Sequence, residues 1–425
     1  MTPDAVLTLD EIDLSDMAFW ARPWSEREAA FALLRAERPL AFFEEPDATE
    51  ASPLAPPPGP GYRAVTRHDD VSEVSRHPEI YCSGQGAVSI LDLPPEMVEY
   101  FAGMISTDNP RHARLRRIVS AAFNPRRIKS IEENIEEVAD RVIDRAAGLG
   151  ECDFATEIAT PFPLEIICDM MGVPPSEYAT VLRCSNVILS GGDPEYSPQD
   201  VDPVLALLNA GRELTDLMTE LAAYRVDNPT DDLTTSLITT NIDGEALTSG
   251  ELASFFILLL TAGNETTRNS ISHALLALTE HPDQRALWQA DPVTIAATGV
   301  DEVVRWASPV IWMRRTVTGD TVLSGQELHE GDKVLLFYNS ANRDEAAFDH
   351  PEVFDVRRSP NPHFGFGAAG PHFCLGAHLA RREIDVMTRE LFLRLPDIEA
   401  TGEPDRLLSN FINGIKHLPC RFTPA

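Results

Sequence analysis

Pro362-His363-Phe364-Gly365-Phe366-Gly367-Ala368-Ala369-Gly370-Pro371-His372-Phe373-Cys374-Leu375-Gly376 decides how this chain is read. Three glycines and two prolines precede Cys374 in this stretch and Gly376 follows it. That composition describes a tight loop, and the loop runs directly into a helical pattern from Ala377 to Leu391. Cys374 therefore stands at a helix N-terminus. Backbone N–H groups and the positive end of the helix dipole favour a thiolate there, so the sulfur is suited to be a soft, electron-rich metal ligand. Taken alone, a cysteine in a reducing compartment is more often an inert small core residue. The rest of the sequence decides between the two.

The 425 residues give ample chain to bury a large core. Acidic residues outnumber basic ones 67 to 35, for a net charge of -32. Such a surface is a poor match for nucleic acid or an anionic membrane, so neither is expected as a partner. Met1-Thr2-Pro3-Asp4-Ala5 lacks the basic and apolar pattern of a signal peptide. No apolar run reaches the roughly 18 residues of a spanning helix. Cys82, Cys152, Cys168, Cys184, Cys374 and Cys420 include no C-x-x-C pair, which argues against a disulfide framework or structural zinc and fits the cytoplasm.

Along the chain, a helix is expected over Ala29 to Arg38, then a Pro-rich surface loop from Ala51 to Gly61. A strand follows at Tyr62 to Thr66 and a short helix at Asp69 to Arg76. Cys82 to Tyr100, broken by Gly and Pro, reads as a mobile loop over a pocket. Helical periodicity returns over Ile131–Leu149, Ile158–Met171, Tyr178–Gly191 and Pro203–Asn228, with Ser190 to Pro194 breaking it as part of a lid.

Thr248-Ser249-Gly250-Glu251 is a capping box and opens a helix that should run to Glu280, before His281-Pro282. At 1.5 Å per residue it is roughly 48 Å long, enough to cross a domain. Phe255 to Leu260 leaves no polar face, so its middle is buried. Ala262-Gly263-Asn264-Glu265-Thr266-Thr267 then places a carboxylate and two hydroxyls at that buried centre. The Thr266 hydroxyl can return to the Ala262 carbonyl four residues back and, with Gly263, open the helix locally. A purely structural Glu265 ion pair is the bland alternative, but an unpaired buried acid costs several kcal/mol without a task.

These segments together resemble the cytochrome P450 family. The loop around Cys374 is similar to its haem-binding motif, with Phe366, His372 and Gly376 at the flanking positions and Cys374 as the implied iron ligand. Ala262 to Thr267 is similar to the family's (A/G)-G-x-(D/E)-T segment. By that match Thr266 steadies bound oxygen, Glu265 delivers protons through water, and Ala262 lies against the haem. His112 and Arg116 resemble an H-x-x-x-R pair for one haem propionate. Arg315 is similar to the arginine meeting the other, and His372 adds a donor. Glu302 and Arg305, with Arg358 as third member, resemble the family's structural ion-pair cluster.

The resemblance implies a mainly α fold with small β-sheets and haem b sandwiched between the long helix and the cysteine loop. It also implies one domain over residues 1–425, with a β-rich part to about residue 75 and a helical haem-binding core beyond. Expected partners are O2, a hydrophobic substrate, and a ferredoxin with its reductase passing electrons from NAD(P)H to a monomer. Seven basic and no acidic residues lie between Arg111 and Lys129. Such a run is commonly a solvated helix face. Otherwise Arg114, Arg117, Arg126, Arg127 and Lys129 are left to face the acidic donor. Ile257, Leu260, Val310, Trp312, Phe411 and Ile412 are expected to line the substrate pocket.

Within the family, the likeness is strongest to mycobacterial enzymes that hydroxylate the chain ends of methyl-branched lipids and sterol side chains. Phe366 lies eight residues before Cys374, one more than the general pattern, and that lipid group shares the spacing. Ala368-Ala369 replaces its glycine pair. The leading expectation is therefore a monooxygenase acting on a terminal methyl, with in-chain or allylic terpenoid hydroxylation as the alternative. A haem sensor without turnover, or a peroxide-driven enzyme, would not need the intact Glu265 and Thr266.

Overall fold

The structure is a computed structural model that describes residues 7–123, 125–198, 200–242 and 244–425, the side chains of 125–128 excepted. Ser249–Glu280 forms one unbroken helix. The Thr248 hydroxyl accepts the Glu251 N–H at 3.2 Å and the Glu251 carboxylate accepts the Thr248 N–H at 3.0 Å, so the capping box closes as the sequence indicates. Helices Pro95–Ala102, Pro161–Met171, Tyr178–Leu189, Pro203–Asp227, Pro292–Ala307 and Ala377–Arg394 all pack against this beam. Phe256, Ile257 and Leu260 are fully buried in the resulting core with Ile166, Leu214 and Met387. The architecture is mainly helical with small sheets.

The largest sheet has five strands, in the order Leu40–Phe43, Tyr62–Val65, Lys333–Phe337, Trp312–Val317 and Tyr81–Cys82. Tyr62–Val65 and Lys333–Phe337 run parallel and the remaining pairs antiparallel. Three further small sheets include Glu151–Asp153 paired with Pro419–Arg421 and Asp405–Arg406 paired with Ile415–His417.

The helix Trp24–Glu37, preceded by a short one at Met17–Trp20, begins five residues before the apolar pattern suggests, with Pro23 at its cap and its first turn half exposed. The expected loop of 82–100 contains the helix Pro95–Ala102. The break after Leu189 is anchored: buried Asp193 accepts the Leu408 N–H at 3.0 Å and lies 3.4 Å from Lys416 Nζ.

The basic run is divided differently from the expectation. Arg114 makes two bonds of 3.0 Å to Glu251, and Arg117 pairs with Glu245. Both arginines are thus paired within the chain, through contacts at or near the surface of the kind that contribute little stability. Lys129 is exposed, with Glu133 at 3.7 Å. Arg126 and Arg127 lie outside the described side chains.

Candidate active site

The cysteine loop is held by its own backbone. Cys374 donates its N–H to the Phe366 carbonyl at 2.9 Å, and Gly367 donates to Phe364 at 2.8 Å from a left-handed φ of 80°. A Cβ at Gly370 would collide with the Ser75 carbonyl oxygen, so only glycine lets the loop lie against the helix His68–Arg76. Arg381 stacks its guanidinium 4.4 Å from the centre of the Phe366 ring. Gly376 caps the helix Ala377–Arg394 and its N–H reaches the Cys374 sulfur.

Cys374 is accessible to water, as are Phe373, Leu375 and Gly376. Surrounding protein nonetheless pushes its thiol above the ordinary value. The Gly376 N–H and the charges of Arg116 and Arg381 pull the other way without prevailing. The Gly376 N–H at the helix start thus acts in the direction the sequence implies, with burial opposing it.

Four nitrogen-bearing side chains gather beside that loop. Arg116, from the helix Arg111–Ala122, donates to the carbonyls of Pro371 at 2.9 Å and Phe373 at 2.8 Å. The His112 and His372 rings are 4.2 Å apart. His112 is buried, and its Nε2 has no partner among the described residues. Arg315 is buried on the strand Trp312–Val317 and bonds the Arg314 carbonyl at 2.8 Å. Burial, Arg315, His112 and Arg116 push His372 down to about 2. Burial and Arg116 also lower His112, so both imidazoles are neutral near pH 7. Two guanidinium groups and two neutral imidazoles, with an orphaned ring nitrogen, suit a ligand carrying carboxylates. The loop sulfur together with this donor set fits a haem and its two propionates.

Across from the loop, the long helix shows one accessible strip in an otherwise buried segment. Ala262 is exposed, while Leu258, Leu259, Gly263 and Thr266 are half-buried. The Thr266 hydroxyl donates to the Ala262 carbonyl at 2.7 Å, as expected, but the helix stays regular through the segment. Glu265 is buried and accepts from Arg268 Nη2 at 2.7 Å; its Oε1 has no partner among the described residues. Burial raises its carboxyl above the usual range, against the Arg268 charge. Arg268 also donates to Asn186 at 3.2 Å and lies 5.9 Å from the centre of the Tyr196 ring, so Glu265 is linked through it to the helix Tyr178–Leu189 and the segment that follows. The spacing i, i+3 made Arg268 visible in the sequence.

The expected pocket residues divide. Ile257 and Leu260 are 0% exposed in the packed core and are corrected as lining residues. At about 100° per residue they fall opposite Ala262 and Thr266, whereas Leu258 and Leu259 share that strip. Trp312 is likewise corrected. Strand alternation turns it away from Arg315 into a cluster with Phe31, Leu335 and Phe337, where Nε1 donates to Asn410 at 2.8 Å. Ile412, 2% exposed, is corrected with them and forms a bridge with half-buried Val310, while half-buried Phe411 packs its ring 4.9 Å from Trp312.

Glu302 and Arg305 are fully buried, bonded at 2.7 and 2.8 Å, and Arg358 joins them at 3.1 Å. Arg305 also donates to the carbonyls of Asn342 and Pro351, and Glu302 accepts the Asp355 N–H. The cluster therefore ties down the segment leading into the cysteine loop.

Glu383 was not singled out in the sequence, although it shares a helix face with Met387 and Leu391. It is buried beside Thr267, and burial pushes its carboxyl up to about 8. The folded state therefore holds a proton that the unfolded chain releases near the ordinary glutamate value of 4.5. This contribution to stability is complete below 4.5 and is lost as pH rises toward 8. Glu383→Gln should flatten the fall of the urea midpoint with pH across that window; an unaltered profile would contradict a buried neutral acid.

Comparison with known proteins agrees with this geometry. The family model described as Cytochrome P450 matches residues 293–401. A methyl-branched lipid omega-hydroxylase of Mycobacterium tuberculosis is 47% identical over 421 residues, 98% of this chain and 96% of that protein. A steroid C26-monooxygenase of Mycolicibacterium smegmatis is 40% identical over 369 residues, 86% and 84% of the two chains. A Mycobacterium marinum cytochrome P450 solved in complex with pseudoionone superposes with a TM-score of 0.90 at 43% identity, covering 98% of this chain and 100% of that one. The fold and site define a haem-thiolate monooxygenase. The chain belongs to the cytochrome P450 family.

Proposed function

We propose that this P450 hydroxylates the terminal methyl of a methyl-branched fatty acid, isoprenoid or sterol side chain. The observation that carries the reading is the 47% identity, across 98% of the chain, to an enzyme named for that reaction. Bound haem, ligated by Cys374, would supply oxygen activation, with the thiolate favouring O–O cleavage. His112, Arg116, Arg315 and His372 would hold its propionates; Phe366, Gly376 and Ala262 would bound it. Thr266 holds a hydroxyl proton at the accessible strip, and Glu265, released from Arg268, passes protons toward it. Glu302, Arg305 and Arg358 keep the fold able to retain haem.

Electrons reach the site from NAD(P)H through a ferredoxin and its reductase, with exposed Lys129 in the docking area. The chain works as a monomeric single domain in the cytoplasm, where six free thiols are at home. Among the described residues no helix is long and apolar enough to cross a membrane. In-chain or allylic terpenoid hydroxylation is the second reading, favoured by the pseudoionone complex of the M. marinum protein.

Terminal C–H bonds are stronger than their neighbours, so shape must impose the regiochemistry. Val310 and Phe411, with the strip at Leu258 and Leu259, would hold the chain end while a branching methyl fills the width. Shape selection of about 1–3 kcal/mol gives roughly 10- to 200-fold preference for branched over straight chains. The reconstituted enzyme should therefore convert a branched lipid mainly to the terminal alcohol, read by mass spectrometry. In-chain alcohols, or faster turnover of the linear chain, would reject terminal hydroxylation and leave the monooxygenase standing.

A further inference from the structure

Trp24 opens the helix Trp24–Glu37, and three guanidinium groups surround its ring. The Cζ atoms of Arg27, Arg343 and Arg406 lie 5.4, 5.0 and 5.2 Å from the ring centre, and the His273 ring 5.8 Å. These side chains come from the helix Trp24–Glu37, the turn after Tyr338–Ala341, the strand Asp405–Arg406 and the long helix, so the fold brings distant cations into one small volume. Arg27 is only 8% exposed and Arg343 5%. Arg27 Nε, Arg343 Nη1 and Arg406 Nη1 are all buried without a hydrogen-bond partner among the described residues.

Of the acids whose fields reach the cluster, Glu28, Glu280, Glu302 and Glu403, only Glu28 is bonded to one of its three guanidinium groups. Glu28 takes Arg343 Nε at 2.9 Å, and Glu280 and Glu403 act on Arg406 only through space. Arg27 has the field of Glu28 but no bond to it, and burial together with Arg406 holds it down to about 10. Stacking on Trp24 compensates the faces of the guanidinium groups. Arg343 Nη2 also donates to the Trp306 carbonyl at 3.1 Å, so what remains is one orphaned nitrogen on each guanidinium, and a buried donor without an acceptor is costly. The three cations also keep buried His273 neutral, pushed down to about 3 mainly by burial.

We propose that the Arg27–Arg343–Arg406 cluster around Trp24 is an oxyanion-binding site, separate from the haem site, that takes a phosphate or carboxylate group. Guanidinium forks match the oxygens of such groups, which supply the acceptors that the orphaned N–H edges lack. Half-exposed Arg406 and Trp24 give it an approach from solvent. The anion would join the helix Trp24–Glu37 to the hairpin whose partner strand Ile415–His417 follows the Phe411–Ile412 turn, a hairpin that His273 also meets through the Asn413 carbonyl at 3.2 Å.

The test is thermal unfolding of the holoenzyme in sodium chloride, inorganic phosphate or acetate at equal ionic strength. At saturation, phosphate or acetate should raise the wild-type Tm by about 2–4 °C relative to chloride. Arg27→Gln and Arg406→Gln should abolish that difference while keeping haem. A shift with phosphate alone identifies a phosphate site and one with acetate alone a carboxylate site. General salt exclusion would act on wild type and variants alike, so equal shifts in all three proteins would overturn the site. No shift in wild type, or no saturable heat on titrating phosphate and acetate, would do the same. Should Arg27→Gln fail to fold, Arg406→Gln at the half-exposed edge carries the comparison.

Discussion

Thr266→Ala is expected to keep haem content and the substrate-induced spin shift but to lower product formed per NAD(P)H by about 10-fold or more, with hydrogen peroxide making up the difference. The substitution removes one hydroxyl from the accessible strip of the long helix and leaves a good helix former in its place, so the fold should hold. What is lost is the proton held at Thr266 Oγ, which the Ala262 carbonyl orients at 2.7 Å. Glu265 cannot replace it directly, since its carboxylate is engaged with Arg268 at 2.7 Å and buried. Measuring NAD(P)H consumed, peroxide released and alcohol formed in one reaction decides the matter. An unchanged ratio of alcohol to NAD(P)H would reject the role given to Thr266.

Glu302→Ala should instead yield little haem-loaded protein. The substitution leaves Arg305, 0% exposed, without its carboxylate and frees Arg358 as well. Removing one partner of a buried pair costs roughly 3–5 kcal/mol, a large share of the 5–15 kcal/mol by which proteins are ordinarily stable. The damage should be directional, because Glu302 also accepts from Asp355 and Asn361 on the way to the cysteine loop. Haem content per folded protein should therefore fall further than helical signal in circular dichroism. Normal haem loading would defeat the structural reading.

How much was legible in advance follows from the reach of each interaction along the chain. The capping box at Thr248, the Thr266 to Ala262 bond and the Glu302–Arg305 pair all span three or four residues, and all are present in the structure. Helical geometry alone brings such residues together. The same arithmetic, applied outward from Thr266, would have chosen Leu258 and Leu259 over Ile257 and Leu260. Apolar character was taken there for pocket lining, although a fully apolar helix segment has most of its surface in the core. Trp312 failed similarly, since alternation along the strand from Arg315 already turned it away.

By itself the sequence determined the family, the mainly helical fold with its long central helix, the cysteine loop and the acid–alcohol pair. In each case the information lies in adjacent residues or a repeating period. Only the tertiary structure decided that Arg116 grips the loop carbonyls, that Arg114 is spent on Glu251, and that Arg27, Arg343 and Arg406 meet at Trp24. Partners separated by more than a hundred residues leave no periodic trace, and the balance between desolvation and local dipoles is set by how closely the rest of the chain packs around a group.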